Sequence, residues 1–293
     1  GNYLDGWKFY EYRWQSFAKE WGRTYSKKLW FGNESIKNKV IFIYPEQGHG
    51  DFIHCYRYVA LLKNLHPKKI ILEVTEPFYN LIKSQDLEVE VIAPNTQPSQ
   101  FDFYCPIMSL PLAFKTEISN VPNKCPYLLT NFDKNKIWEE KFKNSNQLRV
   151  GLCWSGNPLH KNNHNRSMSL DDFSKLISFP FEFYSLQKEI PHEDLKILNN
   201  SKIINNQNLL SDFSDTASFV NKMDIVISVD TVIAHLAGSL GKKTFLLLPG
   251  RSSFLWMSER KDSPWYPTIK IFRQKTLGDW NNCIKEIIKE LKS

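Results

Sequence analysis

Between residues 224 and 249, blocks of apolar and polar positions predict a strand, a helix and a second strand. Ile225–Val229 is an almost continuous apolar run, which is typical of a strand buried on both faces of a parallel sheet. Apolar residues then recur at helical spacing up to Leu240, Gly241 stands where a helix C-cap is expected, and Thr244–Leu248 predicts another buried strand. This segment is therefore predicted to be a compact β-α-β unit.

A second β-α-β unit is predicted closer to the N-terminus. Its parts are a strand at Asn38–Tyr44, a turn at Pro45–Asp51 (PEQGHGD), a helix at Phe52–Leu65 and a strand at Lys69–Val74. Gly48 and Gly50 allow the backbone to turn sharply where the strand ends. The turn is not a dinucleotide-binding fingerprint, because no third glycine follows at the required spacing.

The remaining segments continue the alternation of strand and helix. Further strands are predicted at Leu87–Ile92, Phe101–Ile107, Leu148–Trp154, Phe181–Leu186 and Lys202–Ile204. Further helices are predicted at Ser169–Ile177, Ser211–Met223 and Trp280–Leu291. This alternation is the pattern of two doubly wound α/β domains and argues against a sandwich or a helical bundle.

Aromatic residues at the start of the chain are spaced three and four apart, which predicts one amphipathic helix over residues 1–30. They are Trp7, Tyr10, Trp14, Phe17 and Trp21. Residues 127–147 are polar and rich in lysine, so the domain junction is expected there. The predicted parts are therefore the helix at 1–30, a first α/β domain at 31–145, a second at 146–275 and a C-terminal helix at 276–293.

Composition restricts the class of protein further. The 293 residues are 42% hydrophobic and 24% charged, as in soluble globular proteins. No apolar run approaches the roughly 20 residues of a membrane span, and no signal-peptide pattern is seen, so we expect a cytoplasmic protein. The five cysteines are odd in number and widely spaced, which predicts reduced thiols. The net charge of +7 comes from scattered lysines, which favours phosphorylated ligands mildly and gives no sign of nucleic-acid binding.

Polar residues fall where the two β-α-β units place the carboxyl ends of their strands, the edge at which open α/β sheets bind ligands. Thr231 and His235 are four residues apart and share a helix face beside the free N–H groups of the helix start, a suitable place for a diphosphate. The alternative is that Asp230 caps the helix and His235 is a half-buried side chain. These residues alone leave both interpretations open.

The same sheet edge supplies further candidates for an anion site, namely Ser155 and Asn157 on one turn and Arg166 on the neighbouring loop. In the first unit, Asp51 is a candidate general base with His49 beside it, or else an N-terminal helix cap. No aspartates are spaced Asp-x-Asp and no metal-ligand spacing occurs, so no metal or cofactor is expected. The absence of a Walker loop and of a G-x-S-x-G elbow argues against an ATPase or a hydrolase.

Several motifs occur in an order that resembles a known family. They are QGHGD at 47–51 with Arg57 and Tyr58, GLCWSGNPLHKNNHNRSMSL at 151–170, FYSLQKE at 183–189, DFSDTA at 212–217, VISVDTVIAHLAGSLGKKTFLLLP at 226–249, and SPWYPTIKIFRQ at 263–274 followed by GDW. Together they resemble the glycosyltransferase domain of bacterial tetratricopeptide-repeat proteins, which is related to the ADP-heptose:lipopolysaccharide heptosyltransferases. The aromatic helix before this domain resembles the end of a repeat array.

This resemblance implies a GT-B fold of two Rossmann-like domains facing across a cleft, with metal-independent, inverting sugar transfer. Its partners would be a nucleotide-sugar donor, a hydroxyl acceptor on a glycan, lipid or protein, and a protein bound through the repeats. Asp51 would deprotonate the acceptor, and Asp230, Thr231 and His235 would line the donor diphosphate. The remaining residues assigned to substrate binding by this resemblance are Gln47, Gly48, Gly50, Arg166 at a phosphate and Gln187 near the nucleoside.

Two segments depart from the family pattern. His49 stands where the family turn usually has a small or apolar residue, and Ser252–Trp256 (SSFLW) differs from the expected D-W-R-W. The first departure affects base strength or acceptor fit, and the second affects the donor-side loop. A separate alternative to an enzyme is an inactive nucleotide-sugar-binding or protein-binding module of a repeat scaffold. A third hypothesis is an epimerase on the same fold.

Overall fold

The computed structural model of the chain describes residues 2–16, 22–143 and 146–292. By contacts between residues, the chain divides into two compact units, residues 1–122 and residues 123–293. No helix in the described part of the chain combines the length and the apolar character that crossing a membrane requires.

The first unit contains a five-stranded parallel sheet. Its strands are β1 (Lys28–Leu29), β2 (Val40–Tyr44), β3 (Lys69–Glu73), β4 (Glu90–Ile92) and β5 (Phe103–Pro106). Their order in the sheet is β1-β5-β2-β3-β4, with Ile41 paired to Phe103 on one side and Ile70 beside Ile41 on the other. After β2 the chain continues to β3 and β4 on one side of β2, and it then crosses to β5 on the other side. The switch point of the sheet therefore lies between β2 and β5.

The N-terminal segment differs from the predicted single helix. Helix α1 (Tyr3–Tyr10) and residues 13–16 are helical, whereas residues 28–29 form strand β1. The positions of Phe17 and Trp21 lie outside the described residues. Trp30 is buried, and its backbone N–H donates to Tyr104 O at 2.9 Å. Helical structure is therefore present at residues 3–10 and 13–16, whereas pairing with β5 replaces the end of the predicted helix at residues 28–29.

The other helices of the first unit follow strands β2, β3 and β5. They are α2 (His49–Lys63), α3 (Tyr79–Lys83) and α4 (Leu110–Ala113). Helix α2 starts three residues earlier than predicted, because Gly48 is the N-cap and the Asp51 side chain reaches back to it. Asp51 is thus in the first turn of the helix that follows β2, one of the two strands at the switch point.

The second unit contains a six-stranded parallel sheet. Its strands are β6 (Arg149–Cys153), β7 (Glu182–Ser185), β8 (Ile204–Asn205), β9 (Ile225–Val229), β10 (Thr244–Leu248) and β11 (Ile269–Arg273). The order β11-β10-β9-β6-β7-β8 places the switch point between β6 and β9. All residues of β9 and β10 are buried, which confirms the two strands predicted from their apolar runs.

Helices cover this second sheet. They are α5 (Phe132–Phe142), α6 (Asn163–Arg166), α7 (His192–Asn199), α8 (Phe213–Asn221), α9 (Val232–Ser239) and α10 (Asn281–Lys292). Trp138 of α5 stacks on Phe219 of α8 with ring centroids 4.2 Å apart. This helix therefore belongs to the second unit. The boundary between the two units lies after residue 122, whereas the sequence predicts it at residue 145.

After α9, Gly241 has a φ of +71°, the left-handed conformation expected of a C-cap glycine.

The contact between Gly238 and Tyr266 gives a testable prediction on stability. A Cβ at Gly238 would lie 2.5 Å from the Tyr266 ring, which is fully buried, whereas a Cβ at Gly6 in α1 would meet nothing within 4 Å. We expect Gly238→Ala to lower the free energy of unfolding by about 1–3 kcal/mol through overpacking. Gly6→Ala is the matched control and should raise it by up to about 1 kcal/mol. Differential scanning calorimetry of both variants decides this, and equal effects would contradict it.

Candidate functional site

The carboxylate of Asp51 is held at the start of helix α2. Its Oδ2 accepts a hydrogen bond from the Gly48 backbone N–H at 3.1 Å, and the residue is half-buried. The capping interaction considered from the sequence is therefore present. It fixes the orientation of the carboxylate at the switch-point edge of the first sheet, which is also what a general base requires.

His49 and Gln47 lie beside this carboxylate in the same turn. The His49 ring packs edge-on against Phe78 at a centroid distance of 5.2 Å. Desolvation by the surrounding protein lowers the pKa of His49, although the residue keeps an exposed surface. A lowered pKa makes the imidazole mostly neutral at pH 7. Gln47 has a φ of +60°, and its Oε1 accepts a hydrogen bond from the Tyr10 hydroxyl at 2.8 Å.

In the second unit, two loops meet at the carboxyl ends of β6 and β9. Ser155 is buried, and Ser167 Oγ accepts from the Gly156 backbone N–H at 3.0 Å. Arg166 Nη1 donates to the backbone oxygen of Asp230 at 3.0 Å. A Cβ at Gly156 would lie 2.6 Å from Arg166 Nη2, so glycine leaves the space in which the guanidinium lies. The structure thus brings Ser155, Arg166 and Asp230 together.

Two other predicted residues are engaged in hydrogen bonds within the protein. Asn157 is exposed, and its Oδ1 accepts from Leu159 N at 2.9 Å. Gln187 is buried, and its Oε1 accepts from Ser155 N at 3.1 Å while its Nε2 donates to Ser155 O at 2.8 Å and to Glu189 O at 2.9 Å. The Gln187 amide therefore joins the loops after β6 and β7, which favours a positioning role over a contact with a nucleoside.

Thr231, and not Asp230, caps helix α9. The Thr231 hydroxyl accepts from Ile233 N at 3.3 Å. The interpretation of Asp230 as the cap is therefore wrong, because its carboxylate points elsewhere and accepts from Trp256 Nε1 at 2.9 Å. Burial raises the pKa of Asp230, while the Trp256 hydrogen bond and the charges of Arg166 and Arg273 partly lower it. The residue keeps some exposed surface, so this desolvation comes from the packed side chains around the carboxylate.

His235 is packed between the aromatic rings of Trp256 and Tyr266, neither of which is among the predicted site residues. Its Nδ1 lies 2.9 Å from the Tyr266 hydroxyl, and its ring centroid is 5.1 Å from that of Trp256. Arg273 donates to Trp256 O at 2.6 Å and to Ser252 Oγ at 2.8 Å, which fixes the loop after β10. Trp256, Tyr266 and Arg273 lie in the sequence motifs at 252–256 and 263–274. Those motifs were the only sequence signal for them, and neither motif indicates a role for these three residues.

The second switch point combines a helix N-terminus capped by Thr231, the Arg166 guanidinium and the Ser155 hydroxyl. Backbone N–H groups at a helix start together with an arginine form a suitable site for phosphate oxygens. Among residues 2–16, 22–143 and 146–292, no three His, Cys, Asp or Glu side chains are grouped so that they could hold a metal ion. The second switch point is therefore chemically suited to binding an anion. The first, with the Asp51 carboxylate, is suited to removing a proton.

No protein-family model and no curated protein matches the sequence. Solved structures do match. A family 9 glycosyltransferase from Veillonella parvula superposes with a TM-score of 0.61 at 10% identity, covering 89% of this chain and 91% of that one. The chain has the fold of the family 9 glycosyltransferases. ADP-heptose lipopolysaccharide heptosyltransferase II of E. coli gives a TM-score of 0.56 at 12% identity over 86% of this chain and 97% of that chain.

A further match is E. coli heptosyltransferase WaaC, solved with ADP, with a TM-score of 0.54 at 12% identity over 86% of this chain and 98% of that chain. The predicted fold class, α/β with two parallel Rossmann-like sheets of the GT-B type, is confirmed by these structures. The resemblance to heptosyltransferases is confirmed at the level of the fold. The link to tetratricopeptide repeats stays a prediction.

Proposed function

We propose that this chain is a glycosyltransferase that moves a sugar from a nucleotide-sugar to a hydroxyl group of an acceptor. The observation that carries this proposal is that each sheet has a complementary polar group at its switch point. At the second lie the Thr231-capped helix start and the Arg166 guanidinium, and at the first lies the Asp51 carboxylate. Structures with this fold include heptosyltransferases, one solved with ADP and another, TibC of E. coli, with ADP-D-β-D-heptose.

The second unit binds the donor diphosphate. The amides at the start of α9 and the Arg166 guanidinium neutralise the phosphate charge that grows as the sugar leaves, so no metal ion is needed. Ser155 and Thr231 supply hydroxyl groups at the same edge, and His235 borders it. Asp230 is a poor direct ligand, because a carboxylate repels a diphosphate. Its contacts to Trp256 and, through its backbone, to Arg166 give it a positioning role.

The first unit binds the acceptor and activates it. Asp51 takes the proton of the acceptor hydroxyl while that oxygen bonds to the anomeric carbon of the sugar. The bond from this carbon to the diphosphate oxygen breaks, and its electron pair leaves with the nucleoside diphosphate. A single displacement of this kind inverts the anomeric centre. His49, Gln47, Gly48 and Gly50 line the turn around the base, where the neutral His49 ring is able to accept a hydrogen bond from the acceptor.

The donor is expected to be a nucleotide-sugar, and the acceptor class is a glycan, a lipid or a protein side chain. A cytoplasmic location and a partner bound through tetratricopeptide repeats rest on the sequence resemblance and composition alone. The competing proposal is a module that binds the nucleotide-sugar without turning it over. Binding and turnover therefore need separate measurements.

A thermal-shift screen of ADP, UDP, GDP and CMP tests the binding half of the proposal. We expect one nucleoside diphosphate to raise the melting temperature, because a ligand at about 100 times its dissociation constant stabilises by roughly 2.7 kcal/mol. CMP lacks the second phosphate and is expected to give the smallest shift, and pyrophosphate serves as a base-free comparison. If none of the nucleotides shifts the melting temperature at millimolar concentration, the donor site proposed at Thr231 and Arg166 is wrong.

A further inference from the structure

The turn that carries Asp51 contains a residue in an unfavourable backbone conformation. Gln47 is not glycine, yet its φ is +60°, a value that residues with a side chain adopt rarely. Such conformations persist where surrounding contacts impose them, and they occur often at functional sites. Gln47 and its neighbour Glu46 lie between strand β2 and the start of helix α2, and both are held by contacts with the N-terminal segment.

Glu46 is held by an arginine from the N-terminal segment. Both residues are buried, with 4% and 7% of their surface exposed. Arg13 Nε lies 3.0 Å from Glu46 Oε2 and Arg13 Nη2 lies 2.7 Å from Glu46 Oε1, which is a bidentate ion pair. Glu46 Oε1 also accepts from Met108 N at 3.2 Å. The strand end before the turn is thus fixed to the N-terminal segment and to the residues after β5.

The rest of the Arg13 guanidinium is also bonded. Its Nη1 donates to Glu11 Oε1 at 2.7 Å and to Tyr10 O at 3.2 Å, and its Nη2 donates to Ser109 Oγ at 2.8 Å. Burial raises the pKa of Glu46, and the adjacent Arg13 lowers it. The guanidinium therefore offsets the cost of keeping an ionised carboxylate buried one residue before Gln47.

Gln47 itself is held by a second residue of the same segment. The Tyr10 hydroxyl donates to Gln47 Oε1 at 2.8 Å. Burial raises the pKa of Tyr10, so the hydroxyl stays a donor over the whole physiological range. Because the Gln47 amide oxygen accepts from Tyr10, the NH2 group of the same amide is oriented to donate to other partners. Tyr10 and Arg13 therefore contact two consecutive residues of the turn, Gln47 and Glu46.

We propose that Tyr10 and Arg13 are positioning residues of the acceptor-activating turn. Arg13 acts through Glu46 and Tyr10 acts through Gln47, and together they keep Gly48 and Asp51 in the geometry that aims the carboxylate at the acceptor hydroxyl. This inference rests on the proposed function of Asp51. It makes the segment that resembles the end of a repeat array an integral part of the active turn.

The test uses two conservative substitutions and one matched control. Tyr10→Phe removes only the hydroxyl, and Arg13→Lys keeps the charge but loses the bidentate geometry. Tyr12→Phe is the control, because Tyr12 lies in the same segment with 60% of its surface exposed. We expect Tyr10→Phe and Arg13→Lys to lower kcat at least about tenfold, since small misplacements of a catalytic group are costly. The dissociation constant for the nucleoside diphosphate should change less than about twofold in both variants.

Two NMR signals report on the turn without any turnover, namely the His49 imidazole resonance, assigned with His49→Gln, and the Gly48 amide. Both should shift in Tyr10→Phe and Arg13→Lys and stay unchanged in Tyr12→Phe. If the wild-type chain turns over no donor, the proposed function fails, while these signals still decide whether residues 10–13 position the turn. Unchanged kcat and unchanged His49 and Gly48 signals in Tyr10→Phe, which removes no charge and is expected to fold, would overturn the inference.

Discussion

Replacing Asp51 with asparagine should lower sugar transfer by a factor of about 10²–10⁴, the usual contribution of a general base. Nucleotide affinity should stay unchanged. The asparagine side-chain oxygen is able to accept the hydrogen bond that Asp51 Oδ2 takes from Gly48 N at 3.1 Å, so the helix start is preserved while the base is lost. The substitution therefore separates the two roles that this carboxylate combines. Initial rates and nucleotide titrations of the variant measure both.

Asp86→Asn is the matched control for this experiment. Asp86 is an exposed carboxylate of the same unit, so its loss removes the same charge far from the turn in sequence. Its transfer rate should equal that of the wild type. A rate that stays unchanged in Asp51→Asn would show that Asp51 is only a helix cap. Equal losses in both variants would point to net charge and not to the base.

Replacing Arg166 with alanine should weaken nucleoside diphosphate binding by roughly 10- to 100-fold, since hydrogen bonds to charged groups contribute about 1.5–3 kcal/mol. The loss should be the same factor for every nucleotide that binds, because the diphosphate is common to all of them. Isothermal titration of the variant with ADP, UDP and GDP measures this. Affinity for the nucleoside without phosphates should not change.

Lys161→Ala is the control for Arg166→Ala. Lys161 is an exposed cation in the same loop, and its removal changes the net charge by the same amount. It should reduce affinity by less than about twofold at physiological salt, where exposed charges are screened. Equal losses for Lys161→Ala and Arg166→Ala would contradict a specific phosphate contact of Arg166.

The strands at the second switch point could be predicted from the sequence because their apolar runs are long and continuous. Strand β1 could not, because Lys28 and Leu29 form a strand only through pairing with β5. The sequence predicts the start of α2 three residues late, since its cap depends on Asp51 reaching back to Gly48. Residues 132–142 fall within the predicted first domain, whereas the stacking of Trp138 on Phe219 attaches helix α5 to the second unit.

The candidate site could likewise be predicted only where local sequence patterns determine it. Thr231, His235 and Arg166 could be selected because they follow predicted strands or lie on the neighbouring loop. The surroundings of His235 could not, since Trp256 and Tyr266 come from loops whose approach depends on strands β10 and β11 being neighbours. The contacts of Arg13 with Glu46 likewise join positions 33 residues apart, and no local pattern indicates such a pair.

Donor turnover tests most directly whether this chain transfers sugar. Purified protein is incubated with ADP-heptose and with a panel of UDP-, GDP- and CMP-sugars, and release of the nucleotide is followed with and without hydroxyl acceptors. Sugar transfer with Asp51 as the base predicts slow release from one donor, faster release with a suitable acceptor, and loss of both in Asp51→Asn. Tight nucleotide binding without release from any donor across this panel would contradict it and support a binding module instead.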